Sequence, residues 1–227
     1  MAGCARSIGA YARRMNDRTA SGAPRFRRPV SLFPARAEQI EGAPDPALAV
    51  DLAHDSARAL LDGVYRSSEP EVVERVLHLV EREGLADLAT LWSGVPARTL
   101  PGALWRLYVL HTWVRRGGDE VVRRYREGAR TVPGLRYLAG FAEPPDIAQV
   151  RATMDDILRG AFTGDLGLAL TRAGAVAVLC AHGTAHLADA APDPTEQAEL
   201  TRQAGRLLDT GEDLAAAGHA AERGELD

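Results

Sequence analysis

Lysine is missing from this chain, and all 27 of its basic side chains are arginine. Lysine codons are A-rich and most arginine codons are GC-rich, so the absence indicates a GC-biased genome before it indicates selection for guanidinium chemistry. It also excludes the phosphate-binding loop Gly-x4-Gly-Lys, because that loop requires the lysine. An arginine in this chain therefore needs a second observation before it supports a function.

Cysteine and long apolar runs are scarce as well. The two cysteines, Cys4 and Cys180, lie far apart, which excludes a disulfide framework and a C-x-x-C redox pair. The longest apolar run, Ala173–Ala181, is far shorter than the ~20 residues of a membrane span. Arg13-Arg14 lacks the apolar segment of a secretion signal. We therefore predict a cytoplasmic protein that does not cross a membrane.

Charge divides the chain into two parts. Residues 1–36 hold 8 arginines and a single acid, whereas residues 37–227 hold 19 arginines and 30 acids. This asymmetry predicts a basic, disordered N-terminal arm over residues 1–36. An acidic domain over residues 37–227 is predicted to follow it, with its core at about residues 45–211.

Helical signals dominate the acidic part. Asp45-Pro46 and Asp193-Pro194 each place a capping acid before a proline, and Ser68 is followed by Glu71 as in a capping box. Runs of alternating β-branched residues, which would indicate strands, are absent. The fold class we predict is all-α, a single irregular multi-helix bundle with helices over 46–63, 69–83, 101–116, 119–130, 146–161, 165–190 and 194–210.

The apolar patterns of these helices also predict their depth. Residues 103–114 are apolar nearly all round the helix, so we expect this helix at the centre of the fold, with Trp105 buried. Residues 119–130 are rich in charge and are predicted to form a surface helix. Residues 212–224 are only weakly apolar, and we expect them to fray.

Catalytic signatures are few, and an enzymatic function is not predicted. The chain lacks the G-x-S-x-G nucleophile elbow, and Cys180 lies in an apolar run that raises the pKa of a thiol. The adjacent carboxylates Asp155 and Asp156 diverge on a helix, so we expect both to be solvated.

A divalent metal is the one cofactor with a candidate site; otherwise no cofactor is predicted. His182 and His186 are four residues apart and share one helical face, close enough to hold one cation. Gly183 stands where a zinc protease has its glutamate base, and further ligands would have to come from His54 or Asp55. The alternative is that both histidines border the core.

The N-terminal arm carries the candidate partner-binding residues, namely Arg25, Phe26, Arg27, Arg28 and Phe33. Cations beside a stacking ring suit nucleic acid phosphates and bases, with an affinity that falls as salt rises. The same residues would suit an acidic protein surface or the chain's own acidic domain. A solvated tail is the fourth reading.

Three segments carry a family resemblance: RPVSLFPARAEQI at residues 28–40, Leu91–Ser93 through LPGALWRLY at residues 100–108, and FTGDL at residues 162–166. The chain resembles, over residues 28–211, a family of helical proteins from GC-rich bacteria. Some members of that family bear the name DNA-directed RNA polymerase subunit beta. The chain is several-fold too short to be that catalytic subunit, so the resemblance implies an accessory role near transcription.

Three functions follow in order of preference. The first is a non-catalytic helical protein that acts through contact with a partner protein. The second is an accessory factor that contacts RNA polymerase or, weakly, nucleic acid through the arginine-rich arm. The third is a metal-dependent hydrolase that uses His182 and His186.

Overall fold

Six α-helices account for most of the residues that the structure, a computed structural model, describes: 45–66, 91–132, 134–140 and 146–227. These described residues contain no strand, which confirms the all-α class, and they belong to one unit, Pro44–Asp227. The helices are α1 (Pro46–Arg66), α2 (Leu100–Thr131), α3 (Leu135–Ala139), α4 (Ile147–Thr163), α5 (Leu166–Asp189) and α6 (Pro194–Glu222). The predicted helix over 69–83 lies outside the described residues.

Acidic caps begin the helices where the sequence predicts them. The Asp45 carboxylate accepts a hydrogen bond from the backbone amide of Ala47 (3.0 Å), and Asp193 accepts from Thr195 and Glu196 (3.2 and 3.3 Å). Each carboxylate thus satisfies amides that have no partner within the helix. Three further caps, Thr99 before α2, Asp146 before α4 and Asp165 before α5, were not predicted from the sequence.

Helix α5 lies at the centre of the fold and packs against α2, α3, α4 and α6. It is long and apolar enough to cross a membrane by length and composition, but 67% of its most apolar window is buried inside the protein. The prediction that α2 is the central helix was wrong. The prediction relied on large apolar side chains, whereas many of the buried residues of α5 are alanine and glycine.

Glycines let α5 and α6 run close together. Gly167 and Gly174 of α5 face Gly218 and Gly211 of α6, and a Cβ added at Gly174 would lie 2.8 Å from the carbonyl oxygen of Gly211. The two glycines are seven residues apart on each helix, so the two pairs of facing glycines stay aligned over two helical turns. Leu214 lies in this part of α6 and is fully buried, so the predicted fraying after residue 211 is wrong.

Among the helices described, α2 and α5 also approach each other closely where they cross. A Cβ added at Gly183 would overlap the carbonyl oxygen of Arg124 and lie 2.8 Å from the backbone nitrogen of Gly128. A Cβ added at Gly128 would in turn overlap the carbonyl oxygen of Leu179. Only glycine fits at these two positions, because the neighbouring atoms belong to the backbone.

Helix α2 is broken at Gly118, whose φ of 53° and ψ of −137° are not helical. Such a backbone conformation is strained for any residue with a Cβ. The sequence correctly predicted that the helix is interrupted at Gly117 and Gly118, but helical structure resumes directly after Gly118. Glu120, Arg123 and Arg126 of the second half are exposed, as expected of the charged surface helix predicted over 119–130. Val121, Val122 and Tyr125 form a buried apolar stripe on its other face, which the sequence analysis did not identify.

The most deeply buried tryptophan is Trp92, which is 1% exposed. Its indole Nε1 donates to the hydroxyl of Ser56 on α1 at 3.0 Å, and so joins the segment before α2 to α1. Trp105 is only half-buried, with its ring centroid 5.8 Å from that of Tyr108, which corrects the prediction of a buried Trp105.

Candidate functional site

A groove of about 500 Å³ lies between α2 and α6, and we call it the α2–α6 groove. Helix α2 contributes one side of it through Val109, Leu110, Trp113 and, beyond the break at Gly118, Arg124. Helix α6 contributes the other side through Glu199, Gln203, Arg206, Leu207 and Thr210. These α6 positions recur every three or four residues and therefore share one face of the helix.

The middle of the groove is apolar and open to solvent. Leu110 is buried beneath it, while Trp113 and Leu207 are half-buried on its two sides. Val109 is 42% exposed, although it lies on a helix whose other apolar residues are mostly buried. The groove thus exposes apolar surface between α2 and α6.

One end of the groove is polar and internally bonded. The Arg124 side chain is only 11% exposed, and it donates to Glu120 and to Gln203, both at 2.9 Å. Its guanidinium carbon also lies 5.9 Å from the centroid of the Trp113 ring, within the range of a cation–π interaction. Arg124 therefore links the two sides of the groove.

The hydrogen bonds continue along α6. Gln203 donates to Glu199 at 3.0 Å, and Arg202 donates to the same carboxylate at 2.5 Å. These hydrogen bonds hold the pKa of Glu199 below its ordinary value, with a smaller contribution from the charge of Arg206. The exposed Arg206 guanidinium forms neither a hydrogen bond nor an ion pair with the residues described. Arg206 thus places a cation without a partner among the described residues beside the apolar surface of the groove.

The predicted metal ligands lie elsewhere. His182 and His186 are both exposed on α5, so neither lies inside the core. His186 Nε2 lies 3.7 Å from a carboxylate oxygen of Glu127 on α2. Within 45–66, 91–132, 134–140 and 146–227, no three His, Cys, Asp or Glu side chains are grouped so that they could hold a metal ion. The metal site therefore stays a prediction. His54, the predicted further ligand, is half-buried on α1.

Cys180 is fully buried between α5 and its neighbours. Burial raises the pKa of its thiol to about 12, as its apolar surroundings predict. A neutral thiol without access to solvent is a poor nucleophile, so this cysteine contributes to packing.

A polar cluster missed by sequence reasoning joins α2 to α4. His111 Nε2 lies 2.8 Å from one carboxylate oxygen of Asp155, and Arg115 donates to the other at 2.8 Å. The His111 side chain is only 4% exposed, so the hydrogen bond to Asp155 is almost closed to solvent. The prediction that both aspartates are solvated was wrong for Asp155; it holds for Asp156, which is exposed and pairs with Arg159.

Replacing Asp155 with alanine should lower the free energy of unfolding by about 1–3 kcal/mol, because buried His111 loses its hydrogen-bond partner. Replacing its exposed neighbour Asp156 with alanine is the matched control and should change stability by less than about 0.5 kcal/mol. Urea unfolding followed by circular dichroism measures both. Equal effects of the two substitutions would contradict a structural role for the cluster.

The arm residues Arg25, Phe26, Arg27, Arg28 and Phe33 lie outside the described residues, so their predicted contacts stay predictions.

Comparison with known proteins identifies no relative of this chain. No protein-family model matches the chain, and no match is found among the curated proteins or the solved structures. The resemblance to helical proteins of GC-rich bacteria therefore stays a prediction.

Proposed function

We propose that this chain is a non-catalytic helical protein that acts in the cytoplasm by binding a partner protein in the α2–α6 groove. The observation that supports the proposal most directly is the exposed apolar surface at Val109, set beside Trp113 and Leu207. Contiguous exposed apolar surface bordered by polar residues marks protein interaction sites, and a partner that covers Val109, Trp113 and Leu207 together would use such a surface.

The chemistry of the groove favours binding over catalysis. Three of its polar residues, Arg124, Gln203 and Glu199, already bond to one another. Its aromatic residue and its arginines are of the types that dominate the energetics of protein interfaces. An open groove with these side chains suits a segment of protein better than it suits a substrate that must be shielded from water.

The alternatives have less support from the residues described. A role with RNA polymerase or nucleic acid depends on the arm, and hydrolysis depends on ligands to be added to His182 and His186. Neither depends on the groove, so the test of the groove is independent of both.

A photo-crosslinking amino acid at Val109 tests the proposal in the native cell. We expect a discrete crosslinked product whose second protein is identified by mass spectrometry. The matched control is Leu168, which is 45% exposed on α5, against 42% for Val109, and which does not line the groove. It should give no such product.

The identified protein is then purified and titrated against the wild-type chain. Val109→Asp should weaken binding at least about tenfold, which corresponds to 1.4 kcal/mol, because it places a charge in the apolar interface. Leu168→Asp should leave binding unchanged. Equal crosslinking at both positions, or a product formed only with a second copy of the chain, would contradict the proposal.

A further inference from the structure

The length of the groove limits what can occupy it. Its α6 side extends from Glu199 to Thr210, which at 1.5 Å per residue corresponds to about 16 Å. Three turns of an α-helix have the same length. The groove is therefore long enough for a short helical segment, and it is open to solvent.

Both sides of the groove are helices, which favours a helical occupant. An extended peptide usually binds by adding to the edge of a sheet, and the part of the chain described here has no strand to supply that edge. The side chains of α2 and α6 instead form rows into which the side chains of a third helix can pack. A bound helix would cover Val109 and Leu207 from solvent.

The charge along the groove favours an acidic occupant. It is lined by two guanidiniums, Arg124 and Arg206, and by one carboxylate, Glu199. Arg124 already bonds to Glu120, and Glu199 already receives bonds from Gln203 and Arg202. Arg206 is the charge that an incoming carboxylate can bind without displacing a bond between described residues.

We infer that the occupant of the α2–α6 groove is an acidic amphipathic helix of about three turns, with apolar side chains against Val109 and Leu207 and a carboxylate on Arg206. The inference rests on the proposed function, since it names the kind of partner that binds there. The chain has a net charge of −4, so an acidic partner gains no long-range attraction, and its recognition depends on local contacts.

A designed peptide tests the inference without knowledge of the natural partner. The probe is a fluorescent, stapled helix of about 14 residues, with leucines at helical spacing on one face and glutamates beside them. Its sibling carries lysines in place of the glutamates. Fluorescence anisotropy gives the affinity of each peptide for the wild-type protein, and we expect the glutamate peptide to bind at least about fivefold more tightly.

Charge reversal locates the contact. Arg206→Glu should weaken the glutamate peptide about five- to tenfold and strengthen the lysine peptide, so that the preference is inverted. Arg159→Glu, on α4 and away from the groove, should leave the preference of the wild type unchanged. Circular dichroism confirms that both variants remain folded.

The inference is overturned if the glutamate peptide does not bind, if the two peptides bind equally, or if Arg206→Glu leaves the preference intact. Its failure can be separated from failure of the proposed function. If Val109 crosslinks to a partner through a segment that is neither acidic nor helical, the groove remains a binding site and only the chemistry of its occupant is wrong. If Val109 crosslinks to nothing, the proposed function fails first.

Discussion

Replacing Gly183 with alanine should lower the free energy of unfolding by about 3 kcal/mol or more. The added Cβ would overlap the carbonyl oxygen of Arg124 and press on the backbone nitrogen of Gly128 at 2.8 Å. Neither atom can rotate away, because both belong to the backbone of α2, so the two helices must move apart. Adding a methyl group to a packed interior typically costs about 1–3 kcal/mol, and more when the backbone itself has to shift. Urea unfolding followed by the helical circular dichroism signal measures the change.

Gly205 of α6 provides the matched control. A Cβ added there meets no other atom within 4 Å, and the residue is exposed. Because alanine favours helix more than glycine does, Gly205→Ala should stabilise the protein by about 0.5–1 kcal/mol. The two identical substitutions are thus expected to act in opposite directions. If Gly183→Ala were neutral or stabilising, the close crossing of α2 and α5 would be wrong.

The positions of the helices could be predicted from sequence because their causes are local. A capping carboxylate and its first free amides are two or three residues apart, as at Asp45 and Asp193. The break in α2 was also predictable, since Gly117 and Gly118 are adjacent and unfavourable in a helix. Such signals need no knowledge of the neighbouring helices.

The depth of each helix was less predictable, because small residues carry a weak signal. Hydrophobic periodicity gives most weight to leucine, valine and tryptophan, and it therefore placed α2 at the centre. The structure places α5 there, since Gly174 and Gly183 let neighbouring backbones approach closely. A glycine in a helix has the same sequence signature whether it faces another backbone or, like Gly205, faces solvent.

The candidate groove could not be predicted for a different reason. Val109 and Arg206 belong to helices far apart in sequence, and only tertiary packing brings them to one surface. The candidate metal site has the opposite weakness. The spacing of His182 and His186 is visible in the sequence, but it does not show whether a third ligand lies near them. A helical periodicity shows which residues share a face, but it does not show what lies opposite.

Replacing Trp92 with alanine should lower the free energy of unfolding by about 3–5 kcal/mol, the usual cost of deleting a buried aromatic side chain. Trp92 is 1% exposed, and its indole joins the segment before α2 to Ser56 of α1. The substitution removes both the apolar contacts and the hydrogen bond. A loss of this size is a large part of a typical domain's stability, so the melting temperature measured by circular dichroism should fall markedly.

Two further variants separate the contributions. Trp92→Phe keeps most of the ring contacts and removes the bond to Ser56, so a smaller loss than that of Trp92→Ala is expected. Trp105→Ala deletes a side chain of the same size that is only half-buried, and it should therefore cost less than Trp92→Ala. The sequence analysis expected Trp105 to be buried, whereas the structure gives the deeper burial to Trp92. A larger loss for Trp105→Ala than for Trp92→Ala would contradict the burial of Trp92 against α1.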